Sequence, residues 1–217
     1  MTDYDIQYVA SVLRKLTSLN YIQPGEVPNI NLYMDQVTAF MDAHLSDGKR
    51  HESDKILTKT MINNYTKNDL LPPPEKKKYS KDHIYMLTYI YYLKNLLSIS
   101  DIQSLLTPLT QYAFGKDESE EKSDMDMVYE QIHKMCQDEG PMLAKDIMKK
   151  SHKADHAFSD IEDEEERNFL KIFSLVSMLS FDVYSKKNMI QAIIDDYTSS
   201  NKPSDKASKS SSKKKKD

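Results

Sequence analysis

LTKTMINNYTKNDLLPPPEKKKYSKDHIYMLTYIYYLKNLLSISDIQSLL, residues 57–106, places a short helix with a polar outer face, a proline-rich elbow, a lysine triplet and a long apolar helix in direct succession. The first helix is predicted over residues 59–68, because the Thr58 hydroxyl can accept a hydrogen bond from an unpaired amide of its first turn. The prolines at 72–74 lack amide donors and prevent helix continuation, so the chain must turn there. This order of elements is typical of a unit that reads DNA with a rigidly held helix.

The outer face of the predicted helix carries small hydrogen-bonding side chains. Asparagine prefers caps and turns, so the adjacent Asn63 and Asn64 in mid-helix need a reason. One reason is a carboxamide that pairs with an adenine edge in the major groove, and the alternative is a solvated face that happens to be rich in asparagine. We predict base contacts from Thr60, Asn63 and Asn64, phosphate contacts from Lys59, Lys67, Lys76, Lys77 and Lys78, and a further DNA contact from Tyr79.

The opposite face of this helix, with Met61, Ile62 and Tyr65, is predicted to point inward. Residues 75–79 form a short basic arm, or wing, before Ser80 caps the long helix. The alternative for the lysine triplet is solvated charge without a ligand.

Positive charge is concentrated in two segments of the chain. Residues 49–81 carry nine Lys or Arg against four Asp or Glu, within a chain whose formal net charge is −4. Residues 202–217 carry seven lysines against two aspartates, so the remaining residues are strongly acidic. A basic island on an acidic body orients a polyanion toward one surface, and its binding is expected to be sensitive to salt.

Residues 60–106 resemble the winged helix-turn-helix of the MerR family of bacterial transcription regulators. In that family a recognition helix ending in tyrosine leads to a Leu-Leu-Pro-Pro elbow, a basic wing ending in Tyr-Ser, a long helix and a closing helix. The first half of the chain is still more similar to the bacterial domain-of-unknown-function family numbered eighteen thirty-six. The segments that carry this resemblance are LYMDQV at 32–37, LTKTMINNYTK at 57–67, KKYSKDHI at 77–84 and LSISDI at 97–102. Because its members are thought to be regulators on the basis of the helix-turn-helix alone, the resemblance implies a regulatory role.

The chain departs from the MerR pattern at three places. Asn63 stands where that family usually has arginine, and Asn64 replaces the first aromatic residue of its tyrosine pair, so that only Tyr65 is retained. The wing lacks a glycine-rich hairpin, and the connection over residues 46–57 is long for a tight helix-turn-helix turn. These differences imply another mode of operator contact.

The fold class predicted from composition is all-α, because residues that favour helices dominate the periodic segments and the chain has only four glycines. We predict a MerR-like helix-turn-helix domain over residues 1–114, a charged linker over 115–126, a helical effector or dimerisation region over 127–198 and a disordered basic tail over 199–217.

Several helices are predicted from apolar periodicity. One spans about residues 3–19, and a second spans 32–45 with Tyr33, Val37, Phe40 and Met41 inward. Tyr85, Tyr89 and Tyr92 are interpreted as core or rim packing rather than as a stacking platform for bases. Met125, Val128, Ile132 and Met135 are predicted to share one face of a helix that Gly140 and Pro141 break. Apolar residues almost encircle 169–181, which implies burial between helices or against a second copy.

Other function classes have little support in the sequence. His152 and His156 share a helix face that could bind zinc, but their surroundings are rich in lysine, and solvated histidines are far more common there. The sequence offers no paired acid and base, no nucleophile with a supporting base and no phosphate-binding glycine loop, so we predict no enzyme activity, catalytic residue, metal or cofactor. A single cysteine, Cys136, and the lack of a long apolar run predict a cytoplasmic protein with no membrane partner.

The predicted function is that of a DNA-binding transcription regulator whose partner is double-stranded DNA, with homodimerisation left open and the effector unknown. The alternatives are a helical protein–protein adaptor and a small-molecule sensor.

Overall fold

The computed structural model describes residues 6–17, 22–115 and 125–200. Its elements confirm the predicted all-helical class. The helices are α1 Ile6–Thr17, α2 Met34–Leu45, α3 Lys59–Lys67, α4 Lys81–Leu93, α5 Ile99–Phe114, α6 Met125–Ala157 and α7 Glu164–Ser200, and two 3-10 turns cover Pro24–Glu26 and Ser46–Gly48. Strands β1 Leu32–Tyr33 and β2 Lys78–Tyr79 pair in antiparallel fashion, with Leu32 opposite Tyr79 and Tyr33 opposite Lys78.

Local capping fixes where the helices of the first half begin. The Thr58 hydroxyl accepts a hydrogen bond from the Met61 amide at 3.2 Å, as predicted. Ser98 and Asp101 form a reciprocal capping box in which each side chain accepts from the other residue's amide, both at 3.2 Å. The starts of α3 and α5 are therefore encoded within four residues of sequence.

The core is built around α4, most of whose circumference is buried. Tyr85 is fully buried, stacks on Tyr129 of α6 with ring centroids 4.3 Å apart, and donates a hydrogen bond to Asp126 at 2.8 Å. This packing confirms that the tyrosines of α4 belong to the core and its rim. The other fully buried large side chains are Ile22, Val37, Met41, Ile62, Leu70, Leu71, Ile84, Met86, Leu87, Ile90 and Ile102.

The first half of the chain and the long helices α6 and α7 are in contact. The Tyr129 hydroxyl donates to the Ile22 carbonyl at 2.8 Å, and α5 contacts α7. Ion pairs join α6 to α7, with Lys150 to Asp182 at 2.7 Å and Lys171 to Asp155 at 2.6 Å. Helix α1 packs against α6. The prediction from sequence had placed this helix in the helix-turn-helix domain over residues 1–114. The division into domains stays a prediction, and most of its linker, residues 116–124, lies outside the described residues, as do residues 201–217 of the predicted tail.

The predicted start of α2 is wrong. Leu32 and Tyr33 form β1, and the helix begins only at Met34. Because side chains alternate along a strand, Leu32 is buried whereas Tyr33 is 52% exposed, so Tyr33 does not point inward. Val37 and Met41 are buried and Phe40 is half-buried, as predicted.

The predicted break at Gly140 and Pro141 is also wrong, because α6 continues through both residues. Proline removes one backbone hydrogen bond and frees the carbonyl four residues earlier, that of Gln137. Gln137 and Pro141 are exposed, so water can solvate that carbonyl. Packing on either side of this exposed stretch then holds a single helix.

The buried stripe of α6 differs from the predicted one. Met135 is 60% exposed, whereas Met125, Tyr129 and His133 are buried at intervals of four residues. Polar atoms on Tyr129 and His133 made them poor candidates in a purely apolar pattern. The Tyr129 ring nevertheless stacks on Tyr85 and lies edge-on to Tyr89 of α4.

Helix α7 leaves much of its apolar surface uncovered. Phe169, Phe173, Val176 and Phe181 are between 55% and 69% exposed, so these side chains are not buried between helices of the chain. Among the helices within the described ranges, none combines the length and the apolar content that crossing a lipid bilayer requires.

Candidate nucleic-acid interface

The two faces of α3 are arranged as the sequence predicts. Ile62 is fully buried, and Met61 and Tyr65 are half-buried against the core. Asn63 and Asn64 are exposed on the opposite face. The exposed residues Lys59, Thr60 and Lys67 complete the outer surface of this helix.

A tight motif ends α3 and directs the chain into the elbow. Asp69 has a φ of 54°, its amide donates to the Thr66 carbonyl at 3.3 Å, and the Leu70 amide donates to the Tyr65 carbonyl at 2.9 Å. This pair of bonds is the Schellman arrangement, whose left-handed position is usually glycine. No glycine marks this position, but aspartate tolerates the left-handed conformation better than most residues.

The predicted wing is a hairpin turn between Glu75 and Lys78. The Lys78 amide donates to the Glu75 carbonyl at 2.9 Å, and the two central residues, Lys76 and Lys77, have φ values of 49° and 65°. Positive φ at both central positions defines a type I′ turn, which normally carries Asn-Gly. Two exposed lysines therefore occupy a conformation that their side chains disfavour.

Lys78 and Tyr79 form strand β2 and are less exposed than the two lysines of the turn. Lys78 is half-buried, and its ammonium lies 5.2 Å from the centre of the Tyr33 ring. Tyr79 is only 3% exposed, because alternation along β2 points its ring into the core. Its side chain cannot reach a bound duplex, so Tyr79 does not belong to the contact surface.

Neighbouring charges divide the predicted phosphate contacts into two groups. Lys59 forms an ion pair with Asp35 in the first turn of α2. Within the described residues, no ion pair involves Lys67, Lys76 or Lys77. The cations that are available without breaking an existing ion pair therefore lie at the end of α3 and at the tip of the hairpin.

The long connection before α3 is held in place by specific bonds. The Asp54 carboxylate accepts hydrogen bonds from two loop amides, at 3.0 and 3.1 Å. Ile56 and Leu57 are buried, and Lys94, the residue directly after α4, donates to the Ile56 carbonyl at 2.7 Å. Both α3 and β2 contact α2. Helix α3 and the strand of the hairpin therefore both pack against α2.

His83 supports the hairpin from the first turn of α4, a role that the sequence analysis missed. Its Nδ1 accepts a hydrogen bond from the Ser80 amide at 3.0 Å and lies 2.8 Å from the Ser80 hydroxyl. Burial lowers the pKa of His83 to about 4, against the opposing effect of the Pro73 and Pro72 carbonyls. The imidazole is therefore neutral at physiological pH. The spacing Ser-x-x-His, with histidine in the place of the glutamate of a capping box, could have revealed it.

The two histidines considered for zinc lie far along α6. His152 and His156 are both exposed. In the part of the chain that the structure describes, no group of three or more His, Cys, Asp or Glu could hold a metal ion.

Comparison with known proteins adds a family match. The family model described as a domain of unknown function, DUF1836, matches residues 22–132, slightly more than half of the chain. The matched range contains α2 to α5, the hairpin and the start of α6. Neither the curated proteins nor the solved structures contain a match.

Proposed function

We propose that this chain, which belongs to the DUF1836 family, is a transcription regulator that binds duplex DNA through α3 and the residue 75–78 hairpin. One observation carries the proposal. Asn63 and Asn64 are exposed on a helix whose other face is anchored in the core. The turn before β2, which contacts α2 as α3 does, holds Lys76 and Lys77 exposed in a disfavoured conformation.

Two kinds of contact follow from the side chains. Asn63, Asn64 and Thr60 have the short hydrogen-bonding groups that suit base edges in the major groove. Lys67, Lys76 and Lys77 would neutralise phosphates and set the register of the helix. Exposed residues that already have a partner, such as Lys59, would contribute less, because the ion pair with Asp35 must first open.

The order of elements supports a MerR-like winged helix-turn-helix. Helices α2 and α3 are in contact and are followed by the elbow, the hairpin and α4. The hairpin would act as a short wing, held to the body by the pairing of β2 with β1. Tyr33, which is exposed beside Lys78, would lie near the DNA backbone, where tyrosine hydroxyls commonly bind phosphate.

The exposed face of α7 would provide a dimer interface. Phe169, Phe173, Val176 and Val183 are more than half exposed and recur at spacings of four, three and seven residues, which fits a seam between two helices. A second copy would also bring a second reading helix to an adjacent half-site. Sedimentation of the full chain should give a dimer that a Phe169→Ser/Phe173→Ser variant converts to a monomer, and a monomeric parent chain would contradict this interface.

Selection of genomic fragments by the purified full chain, followed by mobility-shift assays on the recovered duplexes, tests the function. We expect Asn63→Ala to reduce discrimination between recovered and scrambled duplex by about 1–3 kcal/mol. Lys77→Ala should weaken binding to both duplexes alike. Asn188→Ala and Lys149→Ala, exposed positions on α7 and α6, are the matched controls.

Two results would contradict the proposal. One is a failure to recover any fragment above background at low salt. The other is unchanged affinity for recovered and scrambled duplex in both site variants, which would favour an adaptor whose asparagine-bearing face binds protein.

A further inference from the structure

A cavity of about 650 Å³ lies between α4, α5, α6 and α7. Its volume falls within the range of about 300–1,000 Å³ that is usual for small-molecule sites. Protein cores rarely leave voids larger than one water molecule, because each uncovered side chain loses dispersion contacts. The main lining residues are Tyr89, Tyr92, Leu109, Tyr129, Ile132 and Ile194.

The walls of this cavity are almost entirely apolar, and five of the lining side chains are tyrosines. A space of this kind does not retain water well, because water needs two or more polar partners. A charged ligand would bind weakly there, because the apolar walls offer nothing to replace its hydration shell. Ile193 and Tyr112 line the cavity and are exposed, so its mouth is open to solvent.

We propose that this cavity binds an uncharged, apolar, aromatic small molecule. The aromatic walls suit ring stacking, and the open mouth gives access without unfolding. The occupant is a small molecule rather than a peptide, because the apolar walls offer backbone amides and carbonyls nothing to bond with.

The site is placed so that its occupancy can affect the hairpin. Tyr89 and Tyr92 lie on α4, and the same helix begins at Lys81, with only Ser80 between it and β2. A ligand that favours one position of α4 would bias the hairpin at its start. Regulation through the hairpin rests on the proposed DNA-binding function, whereas ligand binding does not depend on it.

The first experiment titrates the full chain with the neutral dye N-phenylnaphthylamine, whose fluorescence rises in apolar surroundings. We expect saturable binding with one site per chain. Ile132→Trp and Leu109→Trp would place an indole in the cavity and should weaken binding at least roughly tenfold. Leu143→Trp, at an exposed position of α6, is the matched control and should bind the dye as the parent does. Circular dichroism and a cooperative melt show which variants are folded.

A competition experiment keeps the test decisive if the tryptophan variants do not fold. Naphthalene, which is neutral and apolar, should displace the dye from the parent chain, whereas the anion naphthalenesulfonate should compete at least roughly tenfold less well. Equal competition by both compounds would overturn the proposal.

Two outcomes would overturn the site itself. One is the absence of saturable dye binding to the parent chain. The other is dye binding that survives both folded tryptophan variants but is lost in Phe169→Ser/Phe173→Ser, which would place the dye on the exposed face of α7. Saturable binding that depends on the cavity in a chain that does not bind DNA would support the site while the proposed function failed, so the two failures are distinguishable.

Discussion

Residues 22–115 and helix α7 differ in how they use apolar side chains. The first region buries most of its large aliphatic residues around α4 and leaves lysines and asparagines outside. Helix α7 has 37 residues, of which only Ile194 is buried, and three of its phenylalanines are more than half exposed. The first region is thus specified by its own contacts, whereas α7 presents an apolar surface of the kind that marks an interaction site.

The largest expected difference between the two regions is in stability. Ile62→Ala removes a fully buried side chain beneath α3 and should lower the free energy of unfolding by about 2–5 kcal/mol. Phe173→Ala, at a 59% exposed position, should change it by no more than about 0.5 kcal/mol when dimer formation is prevented by dilution. Urea unfolding followed by circular dichroism measures both values. Equal losses would show that α7 has a buried role in the monomer.

A pH-dependent loss of stability should originate in the first region. His83 is buried, and its pKa in the folded chain is about 4, below the ordinary value near 6.5. Between these values the unfolded chain binds more protons, so stability is complete above about pH 6.5 and falls as the pH drops toward 4, by about 3 kcal/mol in total.

His83→Gln should remove most of this pH dependence. Glutamine can still accept the Ser80 amide hydrogen bond of the capping box, but it does not titrate. Urea midpoints of parent and variant from pH 7 to about pH 4 would show the effect. The same slope in both chains would mean that another group is responsible.

The hairpin offers a substitution that separates folding from binding. Lys76→Asn with Lys77→Gly installs the preferred type I′ sequence and should stabilise the chain by about 1 kcal/mol, because two strained positive-φ lysines are removed. Thermal melts at equal protein concentration measure the gain. Destabilisation would show that the lysines make contacts that hold the turn.

The smallest expected effect is at the end of α3. Asp69→Gly relieves a non-glycine residue at φ 54° and should stabilise the first region by about 0.5 kcal/mol, while Asp69→Ala should destabilise it. Chemical unfolding of both variants provides the measurement. A gain from alanine would mean that the left-handed conformation is not required.

The sequence predicted elements whose signals are local. Thr58 and Ser80 marked helix starts, the prolines at 72–74 marked the elbow, and apolar spacing identified the buried line of α4. Features that depend on distant contacts were missed. Tyr33 was assigned to a helix because nothing local reveals its pairing with Lys78 in the sheet.

The candidate site was predictable only in part. The exposed face of α3 followed from periodicity, but the burial of Tyr79 depends on the register of β2, and the ion pair of Lys59 depends on a residue of another helix. The cavity could not be predicted, because its walls come from four helices whose arrangement is a tertiary property.

The salt dependence of duplex binding tests the central claim most directly. Affinity for a duplex recovered by genomic selection should be measured as a function of salt for the parent chain and for Lys76→Asn/Lys77→Gly. If both lysines bind phosphate, the double variant should bind more weakly, and the slope of log K against log salt should become shallower by about 2. Identical affinity and slope in a variant that is folded and more stable would contradict the proposal that this hairpin contacts DNA.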